Sequence, residues 1–351
     1  MTVSSIFSSK RWTPVRTVVL SVLLGLGIIL ALEVWIRALG AVPSFDNSIP
    51  RWALVRSELE ADGSEQAVAL LGASRVQAGL SHDALREALP GAQIHNLSFA
   101  GRAPYLTLED LADNSDFRGL VILSFLPIWL LPDQGRDAQI ELVQYYRNYW
   151  NSARALETRM GNFINRYMAL RSGNYGFGRL LRNLGRFGKP VDQPPNARIG
   201  EDRQQYLTLR ESEITRRRAQ EWAVNMVQIA GGVLEDVDWK HAYAELAEKV
   251  AKIQERGGQV VFVRMPSTGL VNEIESELLP RADYWDRMVA SVPGALGLHF
   301  EDIPGVEAIE LPDYSHLDVA GRDEFTALMA AEIARMLREN GSTRFDFADQ
   351  N

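Results

Sequence analysis

A parallel α/β sheet of the doubly wound kind, anchored by one N-terminal transmembrane helix, is the fold this sequence predicts. Three observations carry it: an apolar run near the start of the chain, short apolar segments alternating with polar helical ones, and a long helical interruption between the third and fourth apolar segments. Strands separated by helices imply a parallel sheet covered on both faces. The 351 residues exceed the ~100–200 of an ordinary domain, yet one decorated α/β domain reaches this size. A hydrophobic fraction of 46 % with mixed charge places the chain among folded rather than disordered proteins.

Residues 17–39 (TVVLSVLLGLGIILALEVWIRAL) are apolar over the ~20 residues a bilayer crossing needs, and only Glu33 and Arg37 interrupt them near the far end. Lys10, Arg11 and Arg16 precede the run, and the positive-inside rule holds that flank in the cytoplasm. Everything beyond then lies outside the inner membrane, in the periplasm. The apolar core of a cleaved signal peptide is ~7–15 residues; this run is longer, which favours a retained single-pass anchor. The expected organisation is residues 1–45 as cytoplasmic tail, anchor and linker, and 46–351 as the α/β domain.

Behind the linker at 42–50, Ala67–Leu71 reads as a short buried strand and 81–88 as a helix, with Ser81 as N-cap and Asp83 in its first turn. Residues 92–97 give a second strand, 120–125 a third and 260–263 a fourth, the last led in by an amphipathic stretch at 242–254 and a Gly257-Gly258 stop. A fifth is expected at 298–301, and a helix at 321–337 closes the pattern. Between the third and fourth strands, 132–236 is an interruption of roughly a hundred residues, too long for an ordinary loop. It is helical and aromatic, then Gly/Pro-rich at 185–200, and it carries the Arg216-Arg217-Arg218 run. A helical cap over the carboxyl edge of the sheet is expected. Its charge reads either as a solvated face or as a contact surface for an anionic polymer, lipid headgroups or a partner.

The first strand stops at Gly72-Ala73-Ser74-Arg75. Open α/β sheets bind their ligands outside the carboxyl ends of the strands, so Ser74 stands where a nucleophile would. Serine is equally an ordinary helix N-cap. Gly72 and Ala73 are small enough to let the backbone turn sharply and leave the hydroxyl exposed. Asp313 and His316, spaced i, i+3 after the last strand, allow a carboxylate to hold one imidazole nitrogen while the other faces outward, which is what activation of a serine requires.

The chain has five His. His82 and His241 are expected on solvent-facing helices, His95 in a strand and His299 near the fifth strand. No H-x-x-x-H spacing occurs, so neither a metal site nor a cofactor is expected. With no Cys there is no thiol nucleophile and no disulfide. A net charge of −8 does not favour nucleic acid as a partner.

Taken in order, GASR after the first strand, NLSFAG (96–101) after the second and DYSHL before the last helix resemble the SGNH, or GDSL-like, hydrolase superfamily, over about 68–337 without the insert. The resemblance implies a flavodoxin-like sheet, Ser74 as nucleophile, the Gly101 N–H as oxyanion donor, Asp313 as orienting acid and His316 as base. Two positions depart from the family. Ala73 stands for the Asp of GDS, and Ser124-Phe125-Leu126-Pro127 stands where an oxyanion Asn is usual. Asn96, Arg75 and Arg264 are the candidates to replace it, the two arginines also as substrate-binding groups, with a structural salt bridge as the other reading of Arg75.

The GxSR text, the anchor and the V-x-F-V-x-M-P fourth strand are similar to membrane-anchored SGNH-like proteins of cell-envelope polymer acylation, such as alginate O-acetylation and teichoic-acid D-alanylation. That likeness implies acyl transfer or ester hydrolysis, with O-acetyl foremost, on an exported or cell-envelope polysaccharide through an acyl-serine. It also implies a membrane-bound O-acyltransferase or a polysaccharide-export protein as partner. The alternative it leaves is a catalytically silent scaffold that binds polymer or recruits such an acyltransferase.

Overall fold

The computed structural model describes residues 14–131, 135–173, 175–188, 197–209, 213–230, 234 and 237–345. These fall into two compact units, one made of 14–44 with 163–173 and 175–188, the other of 45–162 with the described residues from 197 onward.

Seven strands occur among the described residues: β1 (Ala67–Leu71), β2 (Gln93–Asn96), β3 (Leu120–Ser124), β4 (Ala197–Ile199), β5 (Gln205–Leu207), β6 (Gln259–Arg264) and β7 (Leu296–His299). Five of them form one sheet in the order β2-β1-β3-β6-β7, parallel at every pairing. The helices are α1 (Pro14–Ala38), α2 (Ile49–Asp62), α3 (Ser74–Gly79), α4 (His82–Ala88), α5 (Tyr105–Asn114), α6 (Ile140–Tyr149) and α7 (Ser152–Tyr167). They continue with α8 (Phe177–Phe187), α9 (Glu213–Ala230), α10 (Trp239–Glu255), α11 (Gly269–Leu278), α12 (Arg287–Ala290) and α13 (Val319–Glu339).

Alternate residues of a strand point to opposite faces, and here both faces are covered. Val68, Leu70, Ile122, Val261 and Val263 pack with Leu85 of α4 and with Phe325, Met329 and Ile333 of α13. Ala69, Leu71, Val121, Leu123 and Phe262 pack with Trp52 of α2, Leu108 and Leu111 of α5, and Leu246 and Val250 of α10. Two-sided burial is why these strands read as unbroken apolar runs. A wholly buried Arg56–Asp110 pair at 2.9 Å joins α2 to α5, and Arg147 of α6 donates to the same carboxylate at 2.6 Å.

The interruption between β3 and β6 is not one cap. Helix α6 extends the helical layer over α2 and α5, because its Leu142 is buried in the core that Trp52 and Leu108 share. Helix α9 does stand at the carboxyl side of the sheet, where Met226 packs with Leu126, Ile128 and Leu131 beyond β3. Residues 163–173 and 175–188 group with α1 instead. An antiparallel hairpin, β4 with β5, was not expected. The fifth strand begins at Leu296, two residues before the expected start. It ends when the His299 ring accepts the Glu301 N–H and turns the chain into a 3₁₀ segment. His82 is buried, not solvent-facing: its Nε2 lies 3.2 Å from Asn96 Nδ2, and Nδ1 faces Asp202 Oδ2 at 2.9 Å.

In the other unit, α1 is long and apolar enough to cross a membrane. At ~1.5 Å per residue its 25 residues reach about 37 Å, more than the ~30 Å hydrocarbon core. Of its charged residues, Arg16 lies in the first turn, and Glu33 and Arg37 sit together at the far end. Glu33 accepts the N–H groups of Ala169 at 2.8 Å and Leu170 at 3.0 Å, and it pairs with Arg37 at 2.6 Å.

Candidate active site

Strand β1 runs out at Leu71, and α3 starts almost at once. A Cβ on Gly72 would come within 2.3 Å of Val76 Cγ2, so only glycine lets the helix begin this close to the strand. Ser74 therefore takes the first helical position. The N-cap position belongs to Ala73, with no side-chain cap bond, so capping is not what the Ser74 hydroxyl does.

That hydroxyl meets His316, with Ser74 Oγ 2.8 Å from His316 Nε2. Asp313 Oδ2 lies 2.9 Å from His316 Nδ1. A carboxylate only accepts, so Nδ1 carries the proton and Nε2 is left as the acceptor for the serine O–H. The other oxygen, Asp313 Oδ1, accepts the backbone N–H groups of Ser315 at 3.0 Å and His316 at 2.7 Å. Burial raises the Asp313 carboxyl, but the hydrogen bond and charge of His316 outweigh it and hold the group below the usual carboxylate range.

The loop is fixed at both ends. Leu317 is buried in the core, and Asp318 caps α13 by accepting from Ala320 and Gly321. Tyr314 adopts φ 63°, a left-handed conformation that costs a side chain of this size strain and persists only where its surroundings impose it. Its carbonyl accepts the Thr268 N–H at 3.0 Å.

Gly101 lies on the loop after β2 with φ +77°, the left-handed region where glycine costs nothing. This loop is tied to the Ser74 turn. Phe99 N donates to Gly72 O at 3.0 Å, Ala100 N to Gln77 Oε1 at 3.1 Å, and Arg203 Nη2 to Ser98 O at 2.8 Å. The Gly101 N–H and the Ser74 N–H have no acceptor among the described residues.

Asn96 is differently employed. Its Oδ1 accepts the Ser98 N–H at 3.1 Å as well as the Ser98 hydroxyl, and its Nδ2 faces His82, so the amide is spent inside the loop.

Arg75 and Arg264 meet on one acid that sequence reasoning missed. Glu275 of α11, 2 % exposed, receives Arg75 Nη2 at 2.7 Å, the Arg264 guanidinium and the Ser267 hydroxyl at 2.7 Å. Burial pushes the Glu275 carboxyl up, but Arg264 and Arg75 hold it down at about 2. Arg75 Nε also donates to Ser315 Oγ at 3.1 Å, inside the loop that carries Asp313 and His316. Arg75 thus makes the salt bridge and touches the loop as well. One signal could have found Glu275: it lies one helical turn from Val271, and both are buried on the same face of α11.

Comparison with protein-family models and with curated proteins yields no match. What the arrangement can do rests on its own geometry. The hydroxyl of a partly buried serine is hydrogen-bonded to an imidazole oriented by a carboxylate, and the turn that carries it is bonded to the loop that carries Gly101. Such a set is equipped to form and break an acyl-serine.

Proposed function

We propose that the chain is an SGNH-like enzyme working outside the cytoplasm, which transfers or hydrolyses an O-acyl group, O-acetyl foremost, on a cell-envelope or exported polysaccharide. The observation that carries this reading is the Ser74–His316–Asp313 chain of hydrogen bonds, 2.8 and 2.9 Å long. Ser74 Oγ attacks the acyl carbonyl while its proton passes to His316 Nε2, and Asp313 stabilises the imidazolium that forms. The tetrahedral oxyanion takes the N–H groups of Ser74 and Gly101. Collapse expels the donor alcohol, which recovers the proton from His316 and leaves acyl-Ser74. A water or a sugar hydroxyl, deprotonated by the same His316, then takes the acyl group.

The strand order, read along the five parallel strands as 2-1-3-4-5, is one of the doubly wound orders, whose ligands bind beyond the carboxyl ends. This supports the superfamily reading, since Ser74 follows the carboxyl end of β1. Helix α1 supports a membrane anchor, and the basic residues before its apolar run 17–39 support a periplasmic domain; a membrane-bound O-acyltransferase or a polysaccharide exporter is the partner this reading proposes.

The second reading is the silent scaffold, which binds polymer or recruits an acyltransferase. It is favoured by the Ser124-Phe125-Leu126-Pro127 text and by the commitment of the Asn96 amide to Ser98 and His82, so that neither position offers a side-chain amide to the oxyanion. Losing one such donor costs ~10²–10³ in rate. The test is covalent labelling of the full-length protein by a fluorophosphonate probe. The enzyme reading expects an adduct on Ser74, absent in Ser74→Ala. An unlabelled native protein that still binds polysaccharide leaves the scaffold.

A further inference from the structure

The unit containing α1 exposes apolar side chains that its fold does not require to be exposed. Phe163 (62 %), Tyr167 (57 %), Leu181 (53 %) and Leu184 (50 %) stand open. Phe163 and Tyr167 are one helical turn apart, their ring centroids 5.2 Å apart. Leu181 and Leu184 share a face of α8 at i, i+3 spacing, and Arg179 and Arg182, both exposed, fall on its other side at 100° per residue.

We propose that this segment lies on the lipid bilayer next to the end of α1, with these four side chains in the zone between headgroups and acyl chains. The occupant is argued from continuity with α1. Arg37, near the end of the span, donates to Tyr167 O at 2.7 Å. Glu33 takes the Ala169 and Leu170 N–H groups. Ile36 is wholly buried among Ala169, Tyr175, Leu170 and Leu180. A chain bonded to the last two turns of a spanning helix sits at headgroup depth, where aromatic rings and arginines concentrate. An apolar face opposed by a basic one is the pattern of a helix lying in that plane. The pairing also accounts for Glu33, since a charge near the end of a span needs partners.

The inference rests on α1 crossing the membrane, and the absence of Cys makes it directly testable. Single variants Phe163→Cys, Leu181→Cys, Leu184→Cys, Arg182→Cys and, as controls, Leu24→Cys in α1 and Glu324→Cys in α13 would carry a bimane label. Each full-length protein is reconstituted in vesicles of phosphatidylcholine and phosphatidylglycerol. Labels at 163, 181 and 184 are expected to show blue-shifted emission, lost to doxyl-labelled lipid and resistant to iodide, while 182 and 324 answer to iodide. Iodide quenching at 163, 181 and 184 with lipid quenching intact at 24 would overturn the proposal and leave the anchor standing. Failure of lipid quenching at 24 would remove the anchor itself. Protection from both quenchers that fades as protein is diluted in lipid would assign the face to a second copy and overturn the lipid as occupant.

Discussion

In the proposed mechanism Ser74 and His316 act only together, because the hydroxyl is a weak nucleophile until the imidazole removes its proton. Ser74→Ala and His316→Ala are therefore each expected to lower ester turnover on the order of 10⁵-fold or more, with the double variant losing little beyond either. Asp313→Asn is expected to retain more, about 10⁴-fold down, since the imidazole can still act as base when poorly oriented. Turnover of p-nitrophenyl acetate by the four variants checks this; strictly additive losses would remove the idea of a single unit. At this scale the meeting of Ser74, Asp313 and His316 was legible because it needs only residue type, order and the ends of strands. The fate of Asn96 was not, because its partners His82 and Ser98 are chosen by folding, and the wholly local D-x-x-H spacing has no counterpart there.

Helix α11 reaches the site through one buried carboxylate. Glu275 holds Arg75 and Arg264, and Arg75 in turn holds Ser315, so strand β6, the α3 turn and the Asp313–His316 loop share a single ion cluster. A carboxyl held at about 2 against ~4.3 when unfolded favours the folded state by an amount fully present above the unfolded value. That contribution is lost as pH falls through the folded one. The stability difference between native protein and Glu275→Gln is thus expected to be constant above about pH 5 and to shrink between roughly pH 4 and pH 2, as followed by thermal melts. A difference that does not change over that window would mean that Glu275 is not ionised in the cluster. The central strands β1, β3 and β6 were legible because burial on both faces makes them nearly continuous apolar runs. The β4–β5 hairpin was not, because its three-residue strands are only partly buried and their sequences carry no period. His82 misled for a related reason: a short helix such as α4 has too few turns to reveal which face is inside.

Across the whole chain, the division of the long insertion depends on contacts no periodicity records. Residues 163–173 group with α1 because Glu33 and Arg37 bond their backbone, and 175–188 because Tyr175 and Leu180 pack with Ile36, while α6 and α9 pack against the sheet domain through Trp52 and Leu126. What the sequence did carry at this scale is a helix long and apolar enough to cross a membrane, since a bilayer sets the length of such a helix without reference to the rest of the fold. The proposed orientation is argued from charge: Lys10, Arg11 and Arg16 precede the apolar run 17–39, and Lys and Arg within ~15–20 residues of a span are retained on the cytoplasmic side. A C-terminal alkaline phosphatase fusion, active only outside the cytoplasm, is therefore expected to be active, and a cytoplasmic reporter at the same site silent. Moving the charge tests the cause as well as the outcome. Replacing Lys10, Arg11 and Arg16 by Asn, and adding a Lys cluster in the linker after α1, should lower phosphatase activity by drawing the far flank inward. An inactive fusion on the native chain would place Ser74 and the proposed polysaccharide on opposite sides of the membrane, and the proposal of acyl transfer to an exported polymer would then have to be given up.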